Sequence, residues 1–134
     1  MKDKLTLIAI VVFSLVVFGG LILLAKSNQG AGKLDYGEFI SCLAEKEAKF
    51  YGAFWCPHCQ DQKNKFGGQD ELLAEKGVYI ECSNPDRSQN ELCTEEGIES
   101  YPTWEINGER FSGVLELEAL ASGTSCVLPT EVSE

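Results

Sequence analysis

Positive charge is scarce in this 134-residue chain, with 11 Lys and Arg against 21 Asp and Glu and a net charge of −10. From residue 34 onward the imbalance steepens to 7 against 20, a net of −13. Such a surface repels phosphate backbones and anionic lipid headgroups, so no nucleic-acid partner is expected. Histidine is nearly missing; His58 stands alone. The chain has no internal repeat and no low-complexity tract, and about a hundred residues from position 34 onward suffice for one core and one domain. Long apolar runs are limited to one, so a multi-helix membrane bundle cannot be built from this chain.

That one run, Leu5 to Ala25, holds 21 residues without a charge. As a helix it would extend roughly 31 Å, the thickness of a bilayer's hydrocarbon core. It exceeds the apolar core of an ordinary signal peptide, no good small-x-small cleavage site follows it, and no lipid-attachment cysteine does either. A retained anchor over residues 1–26 is therefore expected in preference to a cleaved leader. Ser27 to Lys33 reads as a flexible tether, 34–126 as the folded domain, and 127–134 as a disordered tail. Lys2, Lys4 and the amino terminus on one side of the run face Lys26 and Lys33 on the other, a slight lean toward a cytoplasmic N-terminus. Six cysteines outside the apolar run suit an oxidising compartment. The expected location of the domain is extracytoplasmic, whether periplasmic, extracellular or lumenal.

Along the domain, Asp35 with Glu38 three residues later forms a capping-box pattern, and Phe39, Ile40 and Leu43 share one helical face. Phe50 to Trp55 reads as a buried strand. Cys56 opens a helix that Gly67-Gly68 interrupts and that resumes from Glu71 to Lys76, stopping at Gly77. Val78 to Cys82 is a second strand, Ser83 to Asn90 a polar loop, and Glu91 to Glu96 a short helix ended by Gly97. Thr103 to Ile106 and Glu109 to Ser112 flank Asn107-Gly108, the dipeptide that most favours a tight hairpin. Leu115 to Ala121 fits helical spacing better than strand alternation. The order predicts an α/β domain with a mixed sheet, one hairpin and helices on both faces.

The most informative stretch is Ala-Phe-Trp-Cys-Pro-His-Cys at 53–59, a Cys-x-x-Cys pair where a strand gives way to a helix. A thiol there meets the first amides of the helix, whose partial positive charge favours thiolate over thiol. Pro57 suits the first helical position, where its missing N–H would be unpaired anyway. Cys59 lies about one turn further, placed to close a disulfide with Cys56. Bare Cys-x-x-Cys spacing also serves zinc, and Cys56, Cys59, Cys82 and Cys93 are a conceivable four-thiolate set. The spacing of Cys82 to Cys93 is not that of a zinc knuckle, however, and no metal or cofactor is expected.

The pattern resembles the thioredoxin fold over residues 34–122. The segments Gly-Ala-Phe-Trp-Cys-Pro-His-Cys-Gln-Asp-Gln-Lys at 52–63, Phe66-Gly67, Tyr-Ile-Glu-Cys at 79–82 and Tyr-Pro-Thr-Trp-Glu-Ile-Asn-Gly at 101–108 are most similar to the thioredoxin-like domain fused to, or partnered with, vitamin K epoxide reductase homologues of bacteria and plastids. The resemblance implies a thiol-disulfide exchange centre in which Cys56 attacks and Cys59 resolves. It implies a cis-proline at Pro102 that frees the preceding backbone to pair with an extended substrate. It also makes Cys82–Cys93 a structural disulfide, contributing roughly 3 kcal/mol by loop closure; a second redox pair that relays electrons is the alternative. His58, between the two cysteines, would tune the potential by favouring the thiolate; the bland alternative is an exposed histidine with no role. Cys42 and Cys126 lie outside the motif, open to pairing with each other or with another chain. Trp55 and Trp104 read as packing residues.

One departure bears on direction. Thioredoxins proper carry a buried acid six positions before the first active-site cysteine, and this chain has Phe50. Reduction of substrates then lacks a general base unless Glu81 or water supplies it, whereas accepting electrons by thiolate attack suffers less. The resulting expectation is a membrane-anchored oxidase of cysteines in exported proteins, reoxidised by a quinone-linked membrane partner of the vitamin K epoxide reductase type. An anchored reductase or electron conduit is the runner-up, and a non-catalytic binding module held by disulfides or zinc is the alternative from another class.

Overall fold

The computed structural model describes residues 8, 10, 12–14 and 34–130. Residues 8, 10 and 12–14 are helical, and among the described residues no helix is long and apolar enough to cross a membrane. The expected span over 5–25 lies mostly outside the described residues; the tether at 27–33 and the last part of the tail, 131–134, lie wholly outside them. The chain divides into two units at Lys33/Leu34, and the second, Leu34–Glu134, holds the sheet and all six cysteines.

Helix α1 (Gly37–Glu45) buries Phe39, Ile40 and Leu43, the face its spacing predicts. Its cap differs from the expected capping box. The N-cap residue is Tyr36, without a side-chain cap bond, while Asp35 Oδ1 accepts the Gly37 N–H at 2.9 Å and the Gln69 amide at 2.8 Å. These donors hold the Asp35 carboxyl below the usual range, the Gln69 amide having the larger effect. Strand β1 (Lys49–Gly52) is shorter than expected. The chain turns at Ala53, whose carbonyl accepts the Cys56 N–H, and this carries Phe54 and Trp55 out of the ladder to 47% and 40% exposure.

Helix α2 (Pro57–Lys65) follows, then Gly67 and Gly68, both at positive φ, where a side chain would be strained. Helix α3 (Asp70–Glu75) resumes beyond them. Strand β2 (Tyr79–Glu81) leads to a polar loop and helix α4 (Glu91–Glu95), capped by Asn90, whose side chain accepts the Cys93 N–H at 3.0 Å. Strands β3 (Thr103–Ile106) and β4 (Glu109–Ser112) form the hairpin with the predicted boundaries, with Asn107 and Gly108 both at positive φ as its tight turn requires. Helix α5 (Leu117–Thr124) runs three residues past its expected end and stops at left-handed Ser125. The tail is not wholly loose, because Leu128 packs against the core.

The sheet order is β2-β1-β3-β4, with β1 and β2 parallel and the other neighbours antiparallel. Neighbouring residues of β1 point to opposite faces. Phe50 enters the main core with Phe39, Leu43, Phe66, Trp104 and Leu120, while Tyr51 enters a smaller cluster with Cys82, Cys93 and Ile98. Helices therefore cover both faces, α4 on one and α1, α2, α3 and α5 on the other. This mixed α/β arrangement fits a thioredoxin-like fold.

Candidate active site

Cys56 is the N-cap of α2, with extended backbone, and Pro57 occupies the first helical position. The extended N-cap turns the Cys56 side chain back over the helix end, where its Sγ accepts the Cys59 N–H at 3.3 Å. On its other side the thiol approaches the Tyr101 carbonyl at 3.7 Å. The Tyr101–Pro102 peptide, which is cis, immediately precedes β3. Cys56 is 5% exposed and Cys59 not at all. Both are free thiols.

Behind Cys59 the wall is made of rings. Gly52 has no side chain, and a Cβ built there would stand 3.0 Å from Tyr79 Cε2, 3.1 Å from Cys59 Sγ and 3.2 Å from Phe50 Cε2. Only glycine lets these three groups close over β1. Phe50 itself lies between Tyr79 and Trp104, each ring centroid 5.0 Å away, so no acid stands at that position. Burial, seconded by the neighbouring Cys56 sulfur, pushes the Cys59 thiol up to about 12, while the Ala53 backbone and the Lys63 charge act the other way. Tyr79 is also driven well up, by burial and by the Glu81 carboxylate that its hydroxyl contacts at 2.6 Å.

Glu81 organises the approach to the site. Its Oε1 accepts the N–H groups of Phe54 (3.2 Å) and Ser83 (2.9 Å). Trp55 donates from Nε1 to Ser83 Oγ at 2.8 Å and meets Tyr101 edge to face. Trp104 packs in the core as expected, but Trp55 belongs to the rim of the site: the turn at Ala53 ends the ladder before it can be buried. His58 is exposed and its Nδ1 lies 3.5 Å from Asp61 Oδ2 on the next turn.

The remaining cysteines are bonded away from this centre. Cys82 and Cys93 are joined in the smaller cluster beneath α4, both fully buried. A bonded sulfur is not a thiolate ligand, so the four-cysteine zinc set does not assemble here. Cys42 and Cys126 are joined to each other, linking α1 to the segment after α5.

Sequence reasoning passed over Gln62, Lys63 and Tyr79 as individual residues. Gln62 is fully buried, and its side chain bonds Trp104 Nε1 and both backbone groups of Leu115. A polar residue on the inward face of a helix, near an indole that needs an acceptor, was the available signal.

No family model matches this chain. Over 82 residues it is 43% identical to the thiol-disulfide oxidoreductase LTO1 of Arabidopsis thaliana, a match covering 58% of this chain and 21% of LTO1. The chain thus spans about a fifth of that relative's length.

Proposed function

We propose that this chain is a thiol-disulfide oxidoreductase that exchanges disulfides with cysteines of exported proteins through Cys56 and Cys59. The observation that carries the reading is the free pair at the start of α2, with the Cys59 N–H directed at Cys56 Sγ. A hydrogen bond of that kind strengthens as the acceptor becomes anionic, as an attacking or departing sulfur must. The 43% identity to a thiol-disulfide oxidoreductase supports the same chemistry.

In the oxidising direction a substrate thiolate attacks the Cys56–Cys59 disulfide at Cys56, and Cys59 departs as thiolate and takes up a proton. A second substrate thiolate then attacks the substrate sulfur of the mixed disulfide, forming the substrate's disulfide and releasing Cys56. Two electrons move from substrate to protein. The cis Tyr101–Pro102 segment opposite Cys56 offers backbone to an extended substrate. Reoxidation falls to a quinone-linked membrane protein of the vitamin K epoxide reductase type, and the 5–25 segment anchors the domain outside the cytoplasm. His58 tunes the couple, with Asp61 as its partner.

The equilibrium potential of Cys56/Cys59 against glutathione tests the direction. A value between about −120 and −200 mV places the protein with the oxidants and isomerases, and one near about −270 mV favours the reductase or conduit. His58→Ala is expected to lower the potential, and an unmoved value removes His58 from the mechanism. Cys59→Ser is expected to accumulate mixed disulfides at Cys56, visible as dithiothreitol-sensitive adducts by mass. If Cys56→Ala retains function in cells, the chain acts as a binding module and not as a catalyst.

A further inference from the structure

Lys63 is one of seven Lys and Arg residues in the acidic domain that begins at residue 34. Lys65 pairs with Glu116, and Arg110 with Glu96 and Glu105. Lys63 forms no ion pair among the described residues, and its ammonium sits 3.7 Å from the centroid of the Tyr79 ring. A ring face attracts a cation by its quadrupole. Here the ring is also fixed: its hydroxyl is held by Glu81, and its edge and Cys59 Sγ both crowd the space where a Gly52 side chain would stand. Cys59 and Lys63 are four apart on α2, so they share a helix face. The ionisable groups around Cys59 are Cys56 and Lys63 from α2 and its N-cap, Tyr79 and Glu81 from β2, and Tyr101 from the segment before β3. Lys63 is the one cation in that set.

We propose that Lys63, seated on the Tyr79 ring, is a positioning residue for the resolving step, its charge stabilising the Cys59 thiolate as that thiolate forms. The inference rests on the exchange reading above. With Cys56 joined to a substrate sulfur, the Cys59 S–H gives its proton to a solvent base, and the thiolate attacks Cys56 Sγ. The Cys56–Cys59 bond forms, the Cys56–substrate bond breaks, and the substrate leaves as thiolate. The protein dithiol is oxidised by two electrons and the substrate is reduced. By microscopic reversibility the same charge serves Cys59 when it is the leaving group in substrate oxidation. The burial that drives the Cys59 thiol upward makes this the step most in need of a nearby cation.

The test uses the reduced full chain and neutral dipyridyl disulfide, which gives two releases of thiopyridone. The first is bimolecular, at Cys56; the second is independent of reagent concentration, as Cys59 closes the disulfide. Lys63→Gln is expected to slow the second phase by about tenfold at a given pH, the factor for one unit of thiolate midpoint, and to leave the first within about twofold. Lys63→Arg, which keeps the charge, is expected to restore the second phase. A second phase unchanged in Lys63→Gln, equally slow in Lys63→Arg, or slowed only in step with the first overturns the proposal. Absence of a second release in the unsubstituted protein overturns the exchange reading itself, a result separate from any effect of Lys63.

Discussion

Two cysteines three residues apart have quite different surroundings. Cys56 sits at the surface end of α2 with an amide and a carbonyl in reach, whereas Cys59 is enclosed by Phe50, Tyr79 and the turn at Ala53. This asymmetry supports the proposed roles of Cys56 as attacking and Cys59 as resolving thiol. It also makes the reduced protein pH-sensitive. Burial raises the Cys59 thiol from 9.0 to about 12, so in that window the unfolded chain releases a proton that the folded protein still holds. The folded state then binds more protons than the unfolded state, and stability falls as pH rises; below 9.0 the contribution is fully present. The oxidised protein has no such proton. The urea midpoint of the reduced form is expected to fall relative to that of the oxidised form on going from about pH 8 to about pH 10. A constant difference between the two midpoints across that range contradicts the raised thiol.

Helix α2 and its N-cap carry the two thiols and must be held in register with β3, which begins at Thr103, next to Pro102. Gln62 performs that task. From the buried face of α2 its amide donates to Leu115 O at 3.1 Å, and its carbonyl oxygen accepts from Trp104 Nε1 at 3.0 Å and Leu115 N at 2.7 Å. Gln62→Leu is close in volume but strands an indole N–H and two backbone groups. At about 1–3 kcal/mol per unsatisfied buried group, partly relieved by relaxation, a loss of about 3 kcal/mol is expected. Urea unfolding checks this as a lowered midpoint at unchanged slope. Glu81 plays the matching role at the other edge of the site, tying Phe54 and Ser83 to β2.

Across the whole domain the two disulfides differ in reach. Cys42–Cys126 spans 84 positions and closes nearly the entire domain, whereas Cys82–Cys93 spans 11. In the chain-entropy model these loops contribute about 4.5 and about 3 kcal/mol. Paired Ala substitution at Cys42 and Cys126 is therefore expected to cost more stability than the same change at Cys82 and Cys93, measured by denaturant unfolding of proteins with Cys56–Cys59 oxidised in both. The net charge of −13 on residues 34–134 leaves few cations to spare, which makes the seating of Lys63 on a ring more telling than it would be on a basic surface.

Local physics was enough for much of this. The face of α1, the break at Gly67-Gly68, the stops at Gly77 and Gly97 and the Asn107-Gly108 hairpin each follow from spacing, or from a backbone conformation that few residues tolerate. The Cys-x-x-Cys at a strand-to-helix junction follows from the same local rules. Trp55 shows where they fail. It continues an apolar run, so it reads as buried strand, yet the Ala53 turn throws it outward, because the ladder ends where α2 must begin. The capping of α1 fails likewise: Asp35 is shared with Gln69 from 34 residues away, a contact no window of sequence contains. Which cysteines pair, what encloses Cys59 and where Lys63 rests depend on groups brought together from separate elements. Local sequence specifies the elements and the chemistry they carry; the burial and charge around each sulfur arise only in the folded domain, because they are set by neighbours distant in the chain.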